Sequence, residues 1–192
     1  MSFEVPYQLI QSVKKGDKQA FGRLIDCCSP YVYAVALKLI GDADDANDAS
    51  QECFIKVWGK MNTYKSHYKF STWLYKIIAN TCLDKLRKRR RENQIFEQRD
   101  PDIHEPTQNN VEVEFEEKQF VDFVRTISGG LSPKQHAVFV LHDLEELSQE
   151  EISKILGMPK GRIKSNLYYA RKSIRQILQT VDQEKNTSSY EL

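Results

Sequence analysis

No stretch of this chain approaches the roughly 18 consecutive apolar residues that a membrane-spanning helix requires. The most apolar run, Tyr31 to Ile40, is short and carries Lys38. The segment Met1 to Ile10 lacks the basic and apolar regions of a secretory signal. These absences predict a cytoplasmic protein. Cysteine is scarce: Cys27, Cys28, Cys53 and Cys82 form no Cys-x-x-Cys pair, and the four histidines do not cluster with them. A structural zinc site needs four ligands at workable spacing, so neither metal nor cofactor is expected. The thiols read instead as small hydrophobes in helical cores. Strand signals are missing too, with little period-two alternation and no Asn-Gly hairpin turn.

Net charge is almost absent, at +1. That average conceals a segregation along the chain. Lys76 to Arg91 holds seven basic residues and one acid, Asp84. Glu92 to Asp122 holds ten acids against Arg99 and Lys118, and Met158 to Gln176 holds six bases and no acid. One charged run is usually a solvated face. Two basic stretches on predicted helices, separated by an acidic connector, point more firmly to contact with a polyanion.

What the sequence has in quantity is helical periodicity. Phe21, Leu24, Ile25, Cys28, Val32, Val35 and Leu39 recur at three- and four-residue steps, with Pro30 expected to break or kink that stretch. Gly41, Asp42 and Asp44 mark a stop and a restart. The next helix carries Ala49, Cys53, Phe54, Val57 and Trp58, and Met61 to Lys69 reads as a loop. Ser71 or Thr72 can cap a helix reaching about Arg91. Beyond it, Asp100-Pro101, Glu105-Pro106 and Gln108-Asn109-Asn110 predict a mobile acidic linker. Helical pattern resumes near Val113. The fold class expected is all-α, in two small domains at 1–91 and 113–181, joined by linker 92–112 and ending in a frayed tail, 182–192.

The last third is well punctuated. Ser132-Pro133-Lys134-Gln135 and Ser148-Gln149-Glu150-Glu151 are both capping boxes. Gly157 is placed for a left-handed cap, and Pro159 starts a final helix to about Thr180. A short helix, a tight turn and a long basic helix is the layout of a helix-turn-helix. Ile152, Ile155, Leu156, Ile163, Leu167, Ala170 and Ile174 face inward, leaving Lys160, Arg162, Lys164, Ser165, Tyr168, Tyr169, Arg171 and Lys172 outward. Arg and Lys suit guanine edges and phosphates, Ser suits phosphate, and Asn166 can bond adenine in two places. A helical hairpin with a solvated basic face is the plainer alternative.

The first half narrows the role. Asp45 to Phe54, followed by Val57-Trp58, resembles a sigma-factor signature. Phe70 to Asn80, then Asp84, Arg87 and Arg90, resembles the promoter-melting helix of the same family. Leu131 to Lys172 resembles its C-terminal domain. The three in this order resemble the extracytoplasmic-function sigma factors of the sigma-seventy superfamily, over nearly all of Tyr7 to Leu178.

The resemblance implies a transcription initiation factor with no catalysis of its own. Its partners would be core RNA polymerase, through the beta-prime and beta subunits, promoter DNA, and an anti-sigma factor, with no small-molecule substrate. Polymerase docking would fall on Asp45, Asp48, Gln51, Glu52, Ile55 and Trp58, although Phe54 and Trp58 fit core and interface equally. The −10 element would meet Tyr64, Lys65, Phe70, Trp73, Lys76, Asn80, Lys85, Arg87 and Arg90, within a loop that also offers Tyr68. Aromatic stacking contributes about 1–3 kcal/mol per unpaired base, while Phe70 and Trp73 also fit structural roles. The −35 element would meet His142, Arg162, Lys164, Ser165, Asn166, Tyr168, Tyr169 and Arg171. Arg162 stands where the family usually has Thr, Asn166 where it often has Arg, and Glu146 where it often has Gly. The linker can mimic a phosphate chain or serve as a solvated spacer. Two rivals remain: a stand-alone helix-turn-helix regulator, and a nuclease with Asp45, Asp48 and Glu52 as metal ligands on one helix face.

Overall fold

The computed structural model describes residues 4–67, 69–97 and 115–188, with side chains described over 4–67, 69–92 and 119–180. Tyr68, most of the expected linker and the end of the tail lie outside the described residues. Helices follow one another: α1 (Tyr7–Lys14), α2 (Lys18–Ile40), α3 (Ala43–Lys60), α4 (Phe70–Glu97), α5 (Phe115–Gly129), α6 (Pro133–Phe139), α7 (Gln149–Leu156) and α8 (Lys160–Ser188). A 3-10 turn, Met61–Thr63, follows α3, and a π-turn, Val140–Leu144, extends α6. The described residues contain no strand, and no helix among them is long and apolar enough to cross a membrane.

Local chemistry explains most boundaries. Asp17 caps α2 by accepting from the Gln19 and Ala20 amides, and Asp42 caps α3 by accepting from Asp45. Gly41 ends α2 at φ 71°, where a Cβ would also meet Val124 Cγ1 at 3.1 Å. That position therefore needs glycine twice over, for its backbone and for the close approach of α5. Both capping boxes form, at Ser132 with Gln135 and at Ser148 with Glu151, and Gly157 turns the chain at φ 61°.

Four expectations are corrected. Pro30 does not break the second helix, because α2 runs through it from Lys18 to Ile40. A mid-helix proline costs about 3 kcal/mol, and full burial of Cys28, Val32, Val35 and Leu39 around it offsets that cost. The fourth helix starts at Phe70, before Ser71 and Thr72, and continues past Arg91 to Glu97. The last helix runs beyond Thr180 to Ser188. Finally, only Cys28, Cys53 and Cys82 are core thiols, whereas Cys27 is exposed on the outer face of α2. Burial pushes the Cys28 and Cys53 thiols up to about 12, so both stay protonated.

The core of the first unit is built by Leu24, Val32 and Leu39 of α2, Ala49 and Val57 of α3, and Leu74 and Ile78 of α4. The second is built by Ile127, Leu141, Ile152, Ile155 and Ile163 from α5 to α8. The units pack against each other, α4 meeting α6 and α7, and α2 meeting α5. Arg125 of α5 fastens the α2–α5 contact, donating to Gly41 O at 2.7 Å and to Asp42 Oδ2 at 3.1 Å.

Candidate nucleic-acid interface

The α3 surface sorts the first group of expected residues. Ile55 is 73% exposed and Trp58 37%, while Phe54 is buried at 8%. The choice between core and interface is thus split: Phe54 packs inward, and Trp58 sits on the rim with its ring 4.8 Å from Phe21. Asp48, Gln51 and Ile55 are exposed along the same helix. Asp45 and Asp48 face cations of α4, at 3.4 Å from Arg89 and from Lys85 respectively. Glu52 pairs with Lys56 at 2.7 Å. Lysine and arginine thus already face the carboxylates that a nuclease would use for metal, and no group of acids, histidines or thiols able to hold a cation occurs among the described residues.

The loop before α4 and its first turns hold the second group. Tyr64 and Phe70 are buried, at 5% and 6%. With Trp73 they form an aromatic cluster, centroids 5.4 to 5.6 Å apart. Lys14 fixes this loop by donating to Tyr64 O at 2.7 Å. Tyr64 and Phe70 therefore support the site from beneath, and half-buried Trp73 presents the aromatic surface. A pocket of about 560 Å³ opens beside it, lined by Trp73, Lys76, Asn80 and Lys65. Sequence reasoning missed Lys56, Lys60, Thr72 and Thr81, which line it as well. Lys56 and Lys60 share the α3 face that turns toward α4, a spacing signal that could have found them. Asn80 is exposed, its amide donating to Lys76 O at 2.6 Å. Lys88, Arg89, Arg90 and Arg91 extend an exposed cationic ridge along α4, with Arg87 held at 2.9 Å from Asp84.

In the second unit, Ile163, Leu167, Ala170 and Ile174 bury one face of α8. Arg162, Lys164, Ser165, Tyr168, Tyr169, Arg171 and Lys172 stand exposed on the other, as the helical period requires. Tyr168 and Tyr169 contact each other edge-on at 5.4 Å. Asn166 is half-buried and its amide donates to Arg162 O at 2.7 Å. Arg171 makes a two-pronged contact with Asp143, at 2.9 and 2.6 Å, and His142 Nδ1 lies 2.9 Å from the same carboxylate. Burial pushes the Asp143 carboxyl up, but hydrogen bonds from Arg171 and His142, together with their charges, hold it below its ordinary value. Asp143 thus positions two of the expected DNA-contacting side chains. It lies 28 positions before Arg171, and no sequence pattern links the two.

Residues 24–92 match the family model described as Sigma-70 region 2, and residues 124–174 match Sigma-70, region 4. The chain belongs to the extracytoplasmic-function group of sigma factors. It is 29% identical to the ECF RNA polymerase sigma factor SigW of Bacillus subtilis, over 88% of this chain and 94% of that protein. It is also 29% identical to the ECF RNA polymerase sigma-E factor of Escherichia coli K12, over 86% and 90% respectively. Among solved structures, the fold resembles the sigma factor RpoE of Bartonella quintana, crystallised with the anti-sigma factor NepR. The TM-score is 0.65 at 24% identity, covering 83% of this chain and 96% of that one. CnrH in complex with the cytosolic domain of CnrY gives a TM-score of 0.63 at 20% identity, covering 90% and 96%. The region 2 match rules against a stand-alone helix-turn-helix regulator, since it spans most of α2, all of α3 and α4 as far as Glu92 of this sigma factor.

Proposed function

We propose that this sigma factor binds core RNA polymerase in the cytoplasm and directs it to promoters, acting as a non-catalytic subunit. α3 docks on polymerase through Asp48, Gln51, Ile55 and Trp58. α4 and the preceding loop hold the opened −10 strand through Trp73, Lys76, Asn80 and the cationic ridge. α8 lies in the −35 major groove with Arg162, Lys164, Ser165, Tyr168 and Tyr169 toward DNA. An anti-sigma factor is the natural antagonist, as in the complexes of the two structural relatives. The observation that carries this reading is the coincidence of regions 2 and 4 with two separate exposed cationic helical faces.

Run-off transcription with core polymerase, with and without this chain, on promoters from the same genome tests the reading. The chain confers start-site selectivity. Lys164→Ala weakens −35 binding by roughly tenfold, the scale of about 1–3 kcal/mol for a lost contact. Trp73→Ala impairs strand opening more than duplex binding. Core polymerase that gains no selectivity from the chain would end the proposal.

A further inference from the structure

The exposed face of α8 carries two kinds of cation. Arg162 and Lys164 stand in solvent and form no ion pair with any described residue. Lys160 and Arg171 are each met by a carboxylate from an earlier element. These two pairs differ. Glu150 of α7 and Lys160 are both more than half exposed, so water screens their attraction and it contributes little. Asp143 is only 20% accessible. Its two oxygens accept from Arg171 Nε at 2.9 Å and Nη2 at 2.6 Å, and His142 Nδ1 lies 2.9 Å from the same carboxylate. Asp143 sits in the π-turn Val140–Leu144, a geometry frequent at functional sites.

An ionised carboxylate only accepts hydrogen bonds. The Asp143 carboxyl is held below its ordinary value, so His142 donates through Nδ1 and keeps Nε2 as its remaining nitrogen. Arg171 spends Nε–H and one Nη2–H on Asp143, which fixes the plane in which its other N–H groups point. Duplex of any sequence offers phosphates, and binding to it grows with the number of cations that can meet them. Asp143 takes Arg171 out of that number and sets a carboxylate on a surface that phosphates approach. Base edges carry no net charge and meet no such repulsion.

We propose that Asp143 is a specificity-determining residue of the −35 surface: by tying Arg171 and His142 in place, it suppresses binding to arbitrary duplex and widens the gap between promoter and non-promoter DNA. This rests on the sigma-factor reading of α8. Asp143 reads no base itself and acts as a positioning residue through its two partners. Selectivity is a difference of affinities, and weakening the wrong complex serves it as well as strengthening the right one. For a protein that must find one site among many, the ratio of specific to non-specific affinity is the quantity that counts.

The test uses polymerase holoenzyme formed with the full chain, and two labelled duplexes of equal length. One carries a promoter from which the holoenzyme starts in run-off transcription. The other is the same duplex with its −35 element scrambled. Fluorescence anisotropy reads affinity for each over a series of KCl concentrations. In Asp143→Asn, an isosteric change that frees Arg171, affinity for the scrambled duplex rises. The ratio of the two affinities falls about tenfold, the scale of one lost discriminating contact. The logarithmic salt slope on the scrambled duplex steepens by about 0.9, the value for one further phosphate contact. In the double variant Asp143→Asn/Arg171→Ala that steepening disappears, because the freed cation is gone. Glu150→Gln, which also removes a carboxylate beside α8, leaves ratio and slope unchanged. Equal losses on both duplexes in Asp143→Asn overturn the proposal, since the residue then only supports the fold. An unchanged ratio and slope overturn it too, as does the same response in Glu150→Gln, which would make the effect one of overall charge. Wild-type holoenzyme that binds both duplexes equally defeats the −35 reading of α8 itself, a failure visible before any variant is measured.

Discussion

Glu146 holds φ at 55°, and it is the non-glycine residue with positive φ among those described. A side chain in that region costs about 1–2 kcal/mol, which accounts physically for the glycine that the family often places there. Glu146→Gly removes the strain but adds glycine's unfolded-state entropy, about 0.5–1 kcal/mol. The net effect is a gain of roughly 0.5 kcal/mol, read as a raised urea midpoint with unchanged slope. A lowered midpoint would mean that the carboxylate makes a compensating contact between the two units. His136 is a second conflict at this scale. It is 2% exposed, and burial pushes its imidazole down to about 4. The folded state therefore holds the neutral ring, and the unfolded chain binds a proton first as pH falls below the ordinary value of 6.5. The contribution is complete above pH 7 and is lost as pH falls from 6.5 toward 4, amounting to about 3 kcal/mol. Denaturant titrations at pH 7 and pH 4.5 should show this fall in wild type and a flatter profile in His136→Leu.

At the scale of elements, the sequence made legible whatever is set by residues close together in the chain. The capping boxes at Ser132 and Ser148 and the turn at Gly157 are local hydrogen-bond chemistry, and all form as read. The outward set on α8 follows from period alone. Pro30 does not end its helix because its cost is local whereas its compensation is tertiary, through the burial of Cys28, Val32, Val35 and Leu39 on the same helix. The π-turn after Phe139 carries no local signal either. Within the candidate site, composition pointed to aromatics but could not rank them: depth below the surface separates Tyr64 and Phe70 from Trp73. The same reasoning makes α3 testable. Ile55 projects into solvent with little packing to lose, so Ile55→Ala should shift stability by less than about 0.5 kcal/mol. An apolar side chain buried on docking contributes about 1–3 kcal/mol, so affinity for core polymerase should fall roughly tenfold. Equal affinity in a pull-down titration would remove α3 from the polymerase interface.

For the whole molecule, the two units share one continuous apolar cluster, from Ile10 of α1 to Ile174 of α8. Domains with separate cores unfold separately, while a shared core makes unfolding cooperative. The free chain should therefore melt in a single calorimetric transition despite its two family regions. Glu145 ties the units together by accepting from Lys38 Nζ of α2 and from the Tyr75 hydroxyl of α4, each at 2.6 Å. Lys38→Met leaves a carboxylate that is 4% accessible facing Tyr75 without its cation. Stranding a fully buried charge costs about 3–5 kcal/mol. The Lys38 side chain is 27% accessible, so solvent screening reduces the effect to about 1–3 kcal/mol. The molecule can escape this penalty without unfolding, by parting the units so that water reaches Glu145. The variant should then show two transitions, or one broadened transition whose van't Hoff enthalpy falls below the calorimetric value. A single sharp transition, merely shifted to lower temperature, would show that the apolar contacts between α4 and α7 hold the seam by themselves and that the ion pair is incidental to closure.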